Sequence, residues 1–181
     1  MFTGPILDRG PHDPDWVSQP CVLKEDHRWR MWYVSCQKVE QIHGRPEPFR
    51  LIKYAESEDG IYWHRTEQIC IDFSERVDAI GRPCIWKEDG RYIMLHSDRR
   101  AQGYRDNPEN SYRIRASQSD DGVEWKSIEV SGLERSETGW DSVMNEYCAT
   151  YLHDGQGHLL YNGNGFGASG FGYGVLARDS T

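Results

Sequence analysis

The chain lacks the features that would tie it to a membrane, a nucleic acid or a structural metal. None of its 181 residues belongs to a run approaching the roughly 20 apolar residues that span a bilayer. Its opening MFTGPILDRG has neither the basic nor the apolar region of a secretory leader, so a soluble, cytoplasmic protein is expected. Positive charge is scarce and scattered: 21 Lys and Arg stand against 29 Asp and Glu, a net charge of -8. That balance excludes a surface that tracks phosphates, and neither nucleic acid nor membrane is an expected partner. The five cysteines are odd in number and form no CxxC pair, which excludes a disulfide framework and a zinc knuckle. Cys21, Cys84 and Cys148 stand in apolar, strand-like text and are expected as buried thiols. Helical periodicity beyond a turn or two is missing as well, and nothing in the sequence asks for a cofactor.

What the chain does have is a repeat. SEDGIYWHR (57–65) returns as SDDGVEWKS (119–127), and QPCVLKEDHRWRMWYVS (19–35) returns as RPCIWKEDGRYIMLHSD (82–98), in register at an offset of 63. A third copy starts at EYCATYLHDGQGHLLYNG (146–163), with Tyr147-Cys148 in place of Pro-Cys. Within a unit, alternating segments such as CVL, RWRMWYV and RLIKYAES are separated by Asp and Gly turns, and a further segment follows the Asp-Gly. Each unit therefore reads as a four-stranded antiparallel meander. Repeated meanders are the blades of a β-propeller, in which radial stacking buries both faces of each sheet; a β-sandwich with similar hairpins is the competing architecture. The recurring turn would join third and fourth strands, with Trp63 or Trp125 covering the contact between blades.

The expected fold is all-β: one propeller domain over residues 1–181 with about three blades, at 16–72, 79–133 and 143–181, and residues 1–10 as a partial outer strand of a neighbouring blade. Propellers close with about four to eight blades. A homodimer that closes a ring of three plus three blades is therefore expected, each amino-terminal segment edging the partner's last blade.

GPILDRGPHDPDWVSQPCVLKEDHRWRMWYVS, the text at 53–63 and SETGWDSVMNEYCATYLHDGQGHLLYNGNGFGASGFG carry a resemblance that covers essentially the whole chain. It resembles the five-bladed propellers of the glycoside hydrolase clan of arabinanases, β-xylosidases and invertases, and most closely the carboxy-terminal part of uncharacterised bacterial propeller proteins of that type. The resemblance implies a carbohydrate ligand. Five blades at this period would need about 300 residues, so the match is to about three carboxy-terminal blades. In the hydrolase pattern the amino-terminal blades carry the Asp that activates water.

Candidate site residues follow from the start of each inner strand, which in a propeller faces the channel mouth. Counting back from the three cysteines gives Gln19, Arg82 and Glu146, and further back Asp15, Asp78 and Asp141. Glycoside hydrolysis needs a carboxylic acid and a second carboxylate. By the resemblance, Glu146 in NEYC is the expected acid, with Asp15 or Asp78 as base or partner, or else a residue that binds sugar without turnover. Arg82, Gln19, Asn145, His12, Trp16, His96 and Asn162 are the expected substrate contacts. PHDPDW (11–16) groups His12, Asp13 and Asp15 on a rigid loop, but no second ligand cluster supports a metal, and none is expected. The glycine-rich NGNGFGASGFGYG (162–174) lacks the strand and helix of a phosphate loop and reads as a wide hairpin. The alternative to an enzyme is a non-catalytic carbohydrate-binding or scaffold protein that lacks the blades carrying the base.

Overall fold

A computed structural model describes residues 4–176. The strands run in sequence order as three meanders. The first is β1 (Trp16–Glu25), β2 (Arg28–Ile42), β3 (Arg45–Ser57) and β4 (His64–Ile71). The second is β5 (Ala79–Glu88), β6 (Arg91–Arg99), β7 (Arg113–Ser119) and β8 (Lys126–Ile128). The third is β9 (Glu146–His153), β10 (Gln156–Asn162) and β11 (Phe171–Leu176). Within each meander neighbouring strands pair antiparallel. A single parallel pair, Arg50 with Ala79, ties the first sheet to the second. The fold is all-β and propeller-like, with each of the three meanders in the place of a blade.

Burial explains why these strands do not all read as half-buried. Met31 to Cys36 of β2 and Arg50 to Ala55 of β3 are buried without alternation, because the first blade is covered on both faces. Between the first and second blades lie Trp32, Ile52, Tyr54, Ile80, Ile85, Tyr92 and Met94. Between the second and third lie Leu95, Ile114, Ala116, Cys148 and Leu159. Burying one such side chain contributes about 1.5–3 kcal/mol, so the contacts between blades are the core of the molecule.

The recurring turn has one construction in both copies. Asp59 Oδ1 accepts from the amides of Ile61 (2.8 Å) and Tyr62 (2.9 Å), while Ser57 Oγ accepts from Gly60 (2.9 Å). Asp121 and Ser119 repeat this with Val123, Glu124 and Gly122. Gly60 and Gly122 hold φ of 76° and 80°, the left-handed region that glycine enters without a Cβ penalty. The second turn also locks two blades together. Trp32 of the first blade donates its indole N–H to Gly122 O at 2.7 Å, and Trp125 meets the Trp32 ring edge-on at 6.2 Å. Trp63 packs instead on the outer side of the first blade, with Leu7, Val17, Met31 and Tyr33.

At the amino end, residues 4–9 form no strand with the rest of the described residues, and Gly10 makes an isolated bridge to Asp13. The glycine-rich segment is a hairpin between β10 and β11 whose tip holds one helical turn, Asn164–Gly167, broken by left-handed Gly165 and Phe166. Residues 1–3 and 177–181, which belong to the expected outer strand and third blade, lie outside the described residues.

Candidate functional site

Each inner strand carries a β-bulge near its start, and each bulge is hydrogen-bonded to a neighbouring blade. In β1 the register skips between Ser18 and Cys21, in β5 between Gly81 and Cys84, and in β9 between Glu146 and Ala149, opposite Asn162 and Leu160. The first residue of each bulge is left-handed: Gln19 (φ 51°), Arg82 (φ 51°) and Tyr147 (φ 53°). Bulges re-aim side chains at functional rims. Here they also stitch neighbouring blades together, because Gln19 Oε1 accepts the Arg82 amide at 2.6 Å and Ser97 Oγ accepts the Tyr147 amide at 2.9 Å.

This register corrects the alignment on cysteines. Tyr147, not Glu146, is the counterpart of Gln19 and Arg82, and Glu146 takes the place of Ser18 and Gly81. The difference is chemical as well as positional. A Cβ added at Gly81 would stand 2.9 Å from Gln19 Oε1 and 3.8 Å from the Arg50 guanidinium, so that position faces inward.

Glu146 is fully buried, and neither carboxyl oxygen has a hydrogen-bond partner. Desolvation raises its pKa from the ordinary 4.5 to about 8, against the opposing pull of Arg50 and Arg99. Burial of a carboxyl away from water disfavours the charged form, and here two nearby guanidinium groups do not overcome it. Both arginines are occupied elsewhere. Arg50 Nη2 donates to Tyr112 Oη at 2.6 Å, and Arg99 Nε donates to the same oxygen at 3.1 Å. Tyr147 donates its hydroxyl to Tyr112 Oη at 3.1 Å. Arg99 also pairs with buried Glu47 at 3.3 Å and lies 3.7 Å from the Tyr104 ring centroid, and Arg105 pairs with Glu47 from outside. Residues from all three blades thus enclose a carboxyl group that is neutral at pH 7.

Of the other expected site residues, Trp16 and Asn162 lie next to this cluster, whereas Asp15, Asp78 and His12 have partners of their own. Trp16 lies with its ring 5.9 Å from the Arg50 guanidinium, on the side of the first bulge. Asn162 ends β10 opposite Glu146. Asp15 is half-buried, its amide bonded to Cys36 O at 3.3 Å. Asp78 caps the start of the second blade, accepting from the Ala101 amide at 2.8 Å and lying 3.5 Å from Arg100 Nε. His12 sits on an exposed loop, 3.1 Å from Glu67.

Two expected contacts point elsewhere. Asn145 is buried with both ends of its amide used, Oδ1 by Ile114 N at 3.1 Å and Nδ2 by Leu133 O at 2.7 Å, so it fixes the strand that carries Glu146. His96 is buried between the first two blades and faces Ser117 at 3.4 Å. Asp141 accepts from Tyr161 Oη at 2.9 Å in the contact between the second and third blades.

No family profile matches the sequence. Two uncharacterised proteins of Mycobacterium tuberculosis are similar to it: MT1551 of strain CDC 1551 / Oshkosh and Rv1502 of strain ATCC 25618 / H37Rv. Each is 34% identical over 176 residues, covering 96% of this chain and 55% of the relative. The chain spans about half the length of these relatives. Among solved structures, a thermostable family-43 glycoside hydrolase superposes with a TM-score of 0.68 at 17% identity, over 97% of this chain and 58% of that one. The family 117 glycoside hydrolase Zg3597 of Zobellia galactanivorans gives 0.65 at 18% identity, over 88% and 50%. The GH32 β-fructofuranosidase BmSUC1 of Bombyx mori gives 0.61 at 14%, over 86% and 33%. The fold is that of glycoside hydrolase propellers. Identity this low speaks for the fold alone, and the chemistry of the present chain rests on its own residues.

Arg50, Arg99, Tyr112 and Tyr147, which surround Glu146, were not among the expected site residues. Arg50, inside β3, and Tyr112, just ahead of β7, occupy matching positions of the repeat, and that coincidence was the available signal.

Proposed function

We propose that this protein binds carbohydrate at the bulges of the three inner strands, and that Glu146 serves there as a general acid toward a glycosidic oxygen. The observation that carries this reading is the carboxyl of Glu146, buried and unpartnered, where desolvation raises its pKa to about 8. A carboxylic acid held neutral at pH 7 is the donor that glycoside cleavage or transfer requires. Asp15 and Asp78 are the proposed sources of the second carboxylate. Asp15 is the better placed to serve, since the Asp78 carboxylate already receives Ala101 N and lies beside Arg100. Arg82, Gln19, Trp16, His12 and Asn162 are the proposed sugar contacts. The fold shared with family-43 and family-117 glycoside hydrolases supports the substrate class.

A second reading, a carbohydrate-binding propeller without turnover, is favoured by a specific observation. The charges that act on Glu146 are those of Arg50 and Arg99, with no carboxylate among them. A screen of aryl glycosides with wild type and Glu146→Gln, run beside glycan binding, separates the two. Turnover that Glu146→Gln abolishes supports the acid, and binding without turnover supports the second reading. Neither binding nor turnover would overturn both.

The assembly is part of the proposal. β11 turns Phe171, Tyr173 and Val175 outward, 74%, 56% and 53% exposed, and a continuous apolar sheet face of this kind marks an association surface. A homodimer in which this face meets the partner's first blade would close a ring of three plus three. Light scattering that returns a stable monomer removes it.

A further inference from the structure

Each blade has a niche beside the same position of its second strand, at Tyr33, His96 and Tyr161, which the protein fills itself in the first and third blades but not in the second. In the first blade the niche holds the carboxylate of Asp13, which is fully buried. Tyr33 Oη donates to it at 3.2 Å, Arg65 Nη1 lies 3.0 Å from it and Lys53 Nζ 3.4 Å. In the third blade the matching carboxylate is Asp141, and Tyr161, the counterpart of Tyr33, donates to it at 2.9 Å.

In the second blade the counterpart of Tyr33 and Tyr161 is His96. The turn that delivers Asp13, closed by reciprocal amide bonds between Gly10 and Asp13, recurs as Ser74 with Val77. Val77 closes that turn where the first blade has Asp13, and it lines the space beside His96. What remains is a cavity of about 320 Å³ between β4 and its exit loop on one side and β6, β7 and β8 on the other. His96 lines it, is 95% buried, and has no partner for Nδ1. An unpartnered buried ring nitrogen costs free energy unless something bonds to it.

We propose that this cavity binds a small, neutral polyhydroxylated molecule of about monosaccharide size, seated on His96, Asp98, Arg115 and the hydroxyls of Ser117 and Ser127. The lining carries donors and acceptors in balance. Arg115 Nε and Asp98 Oδ2, 3.7 Å apart, cancel in charge while leaving one donating and one accepting edge for a vicinal diol. Burial and the Arg115 charge push His96 down to about 4, so the ring is neutral and able to accept or donate. Trp125 supplies an aromatic wall.

A carboxylate ligand fits poorly. The two cations that meet Asp13 in the first blade are replaced here by one, Arg115, with Ser127 at the position of Arg65, and Asp98 stands where the first blade has Ser35. The cavity's lining shares no residue with the cluster around Glu146. The two sites are therefore independent.

The test follows the His96 ring and Trp125 indole signals by NMR in the full chain, titrated with galactose, arabinose, myo-inositol and, separately, acetate. Saturable shifts of both signals with at least one neutral probe are expected. Ser127→Trp, at an exposed position on the rim, should weaken that binding at least tenfold, Arg115→Ala should weaken it too, and Glu146→Gln should leave it unchanged. The proposal is overturned if no neutral probe moves these signals, if acetate alone does, or if binding survives Ser127→Trp and Arg115→Ala but is lost in Glu146→Gln.

Discussion

Replacing Glu146 with Gln should change how stability depends on pH, in a direction that runs against the usual cost of altering a buried residue. In the folded protein the carboxyl is pushed from 4.5 to about 8 by burial; in the unfolded state it returns to its ordinary value. A raised acid contributes its stability fully below about pH 4.5, where both states are protonated, and loses it progressively as pH rises to about 8. Across that window each pH unit is worth a factor of ten in the folding equilibrium, on the order of 5 kcal/mol in all. Glutamine keeps the shape and cannot ionise, so Glu146→Gln should match wild type near pH 4.5 and exceed it by several kcal/mol at pH 8. Urea unfolding at a series of pH values, read as the difference between the two proteins, cancels the contributions of the other carboxylates. A difference that stays flat with pH would mean that Glu146 is ionised in the folded state and paired with Arg50 and Arg99. That result would refute both the buried neutral acid and the proton donation built on it.

Further outcomes follow from the same contacts. Asp13→Ala leaves Lys53, itself 4% exposed, without its buried counter-ion, and should cost about 3–5 kcal/mol in chemical denaturation. Gly122→Ala puts a Cβ at φ 80°, 2.7 Å from Arg30 Nη1 and 3.1 Å from the Trp32 ring, and should lower the thermal midpoint well beyond Gly90→Ala, where φ is also positive but the space is open. Trp32→Phe loses the bond to Gly122 O and should destabilise by about 2 kcal/mol, seen as a lower urea midpoint with unchanged slope.

The repeat was legible because its turn is encoded locally. Ser-x-Asp-Gly closes on its own side chains, so the same four letters give the same geometry at 57–60 and 119–122 whatever packs around them. The blades were legible for a related reason, since each is a run of consecutive hairpins. The register of the third inner strand was not. The Cys that marks the bulge in the first two blades comes one residue earlier relative to it in the third, and bulge position is set by the left-handed residue, which Tyr147 reveals only in its backbone.

Arg50 and Arg99 escaped attention because arginine in an alternating strand reads as a solvent-facing position. Here both faces of the blade are covered, and the guanidinium groups bond to Tyr112 and, for Arg99, also to Glu47, from a neighbouring strand or blade. That partnership joins residues 62 apart for Arg50 and Tyr112 and 52 apart for Arg99 and Glu47, beyond the reach of local pattern. His96, an expected substrate contact, lies inside β6. The strand pleat turns it instead into the space between blades.

Carbohydrate binding at the three bulges is tested most directly by titrating the isotopically labelled protein with oligosaccharides and mapping the perturbed backbone amides. Shifts should concentrate on Gln19, Arg82 and Tyr147, drawn from three blades, and should weaken in Glu146→Gln. Shifts confined to one blade, or no response to any saccharide, would contradict it.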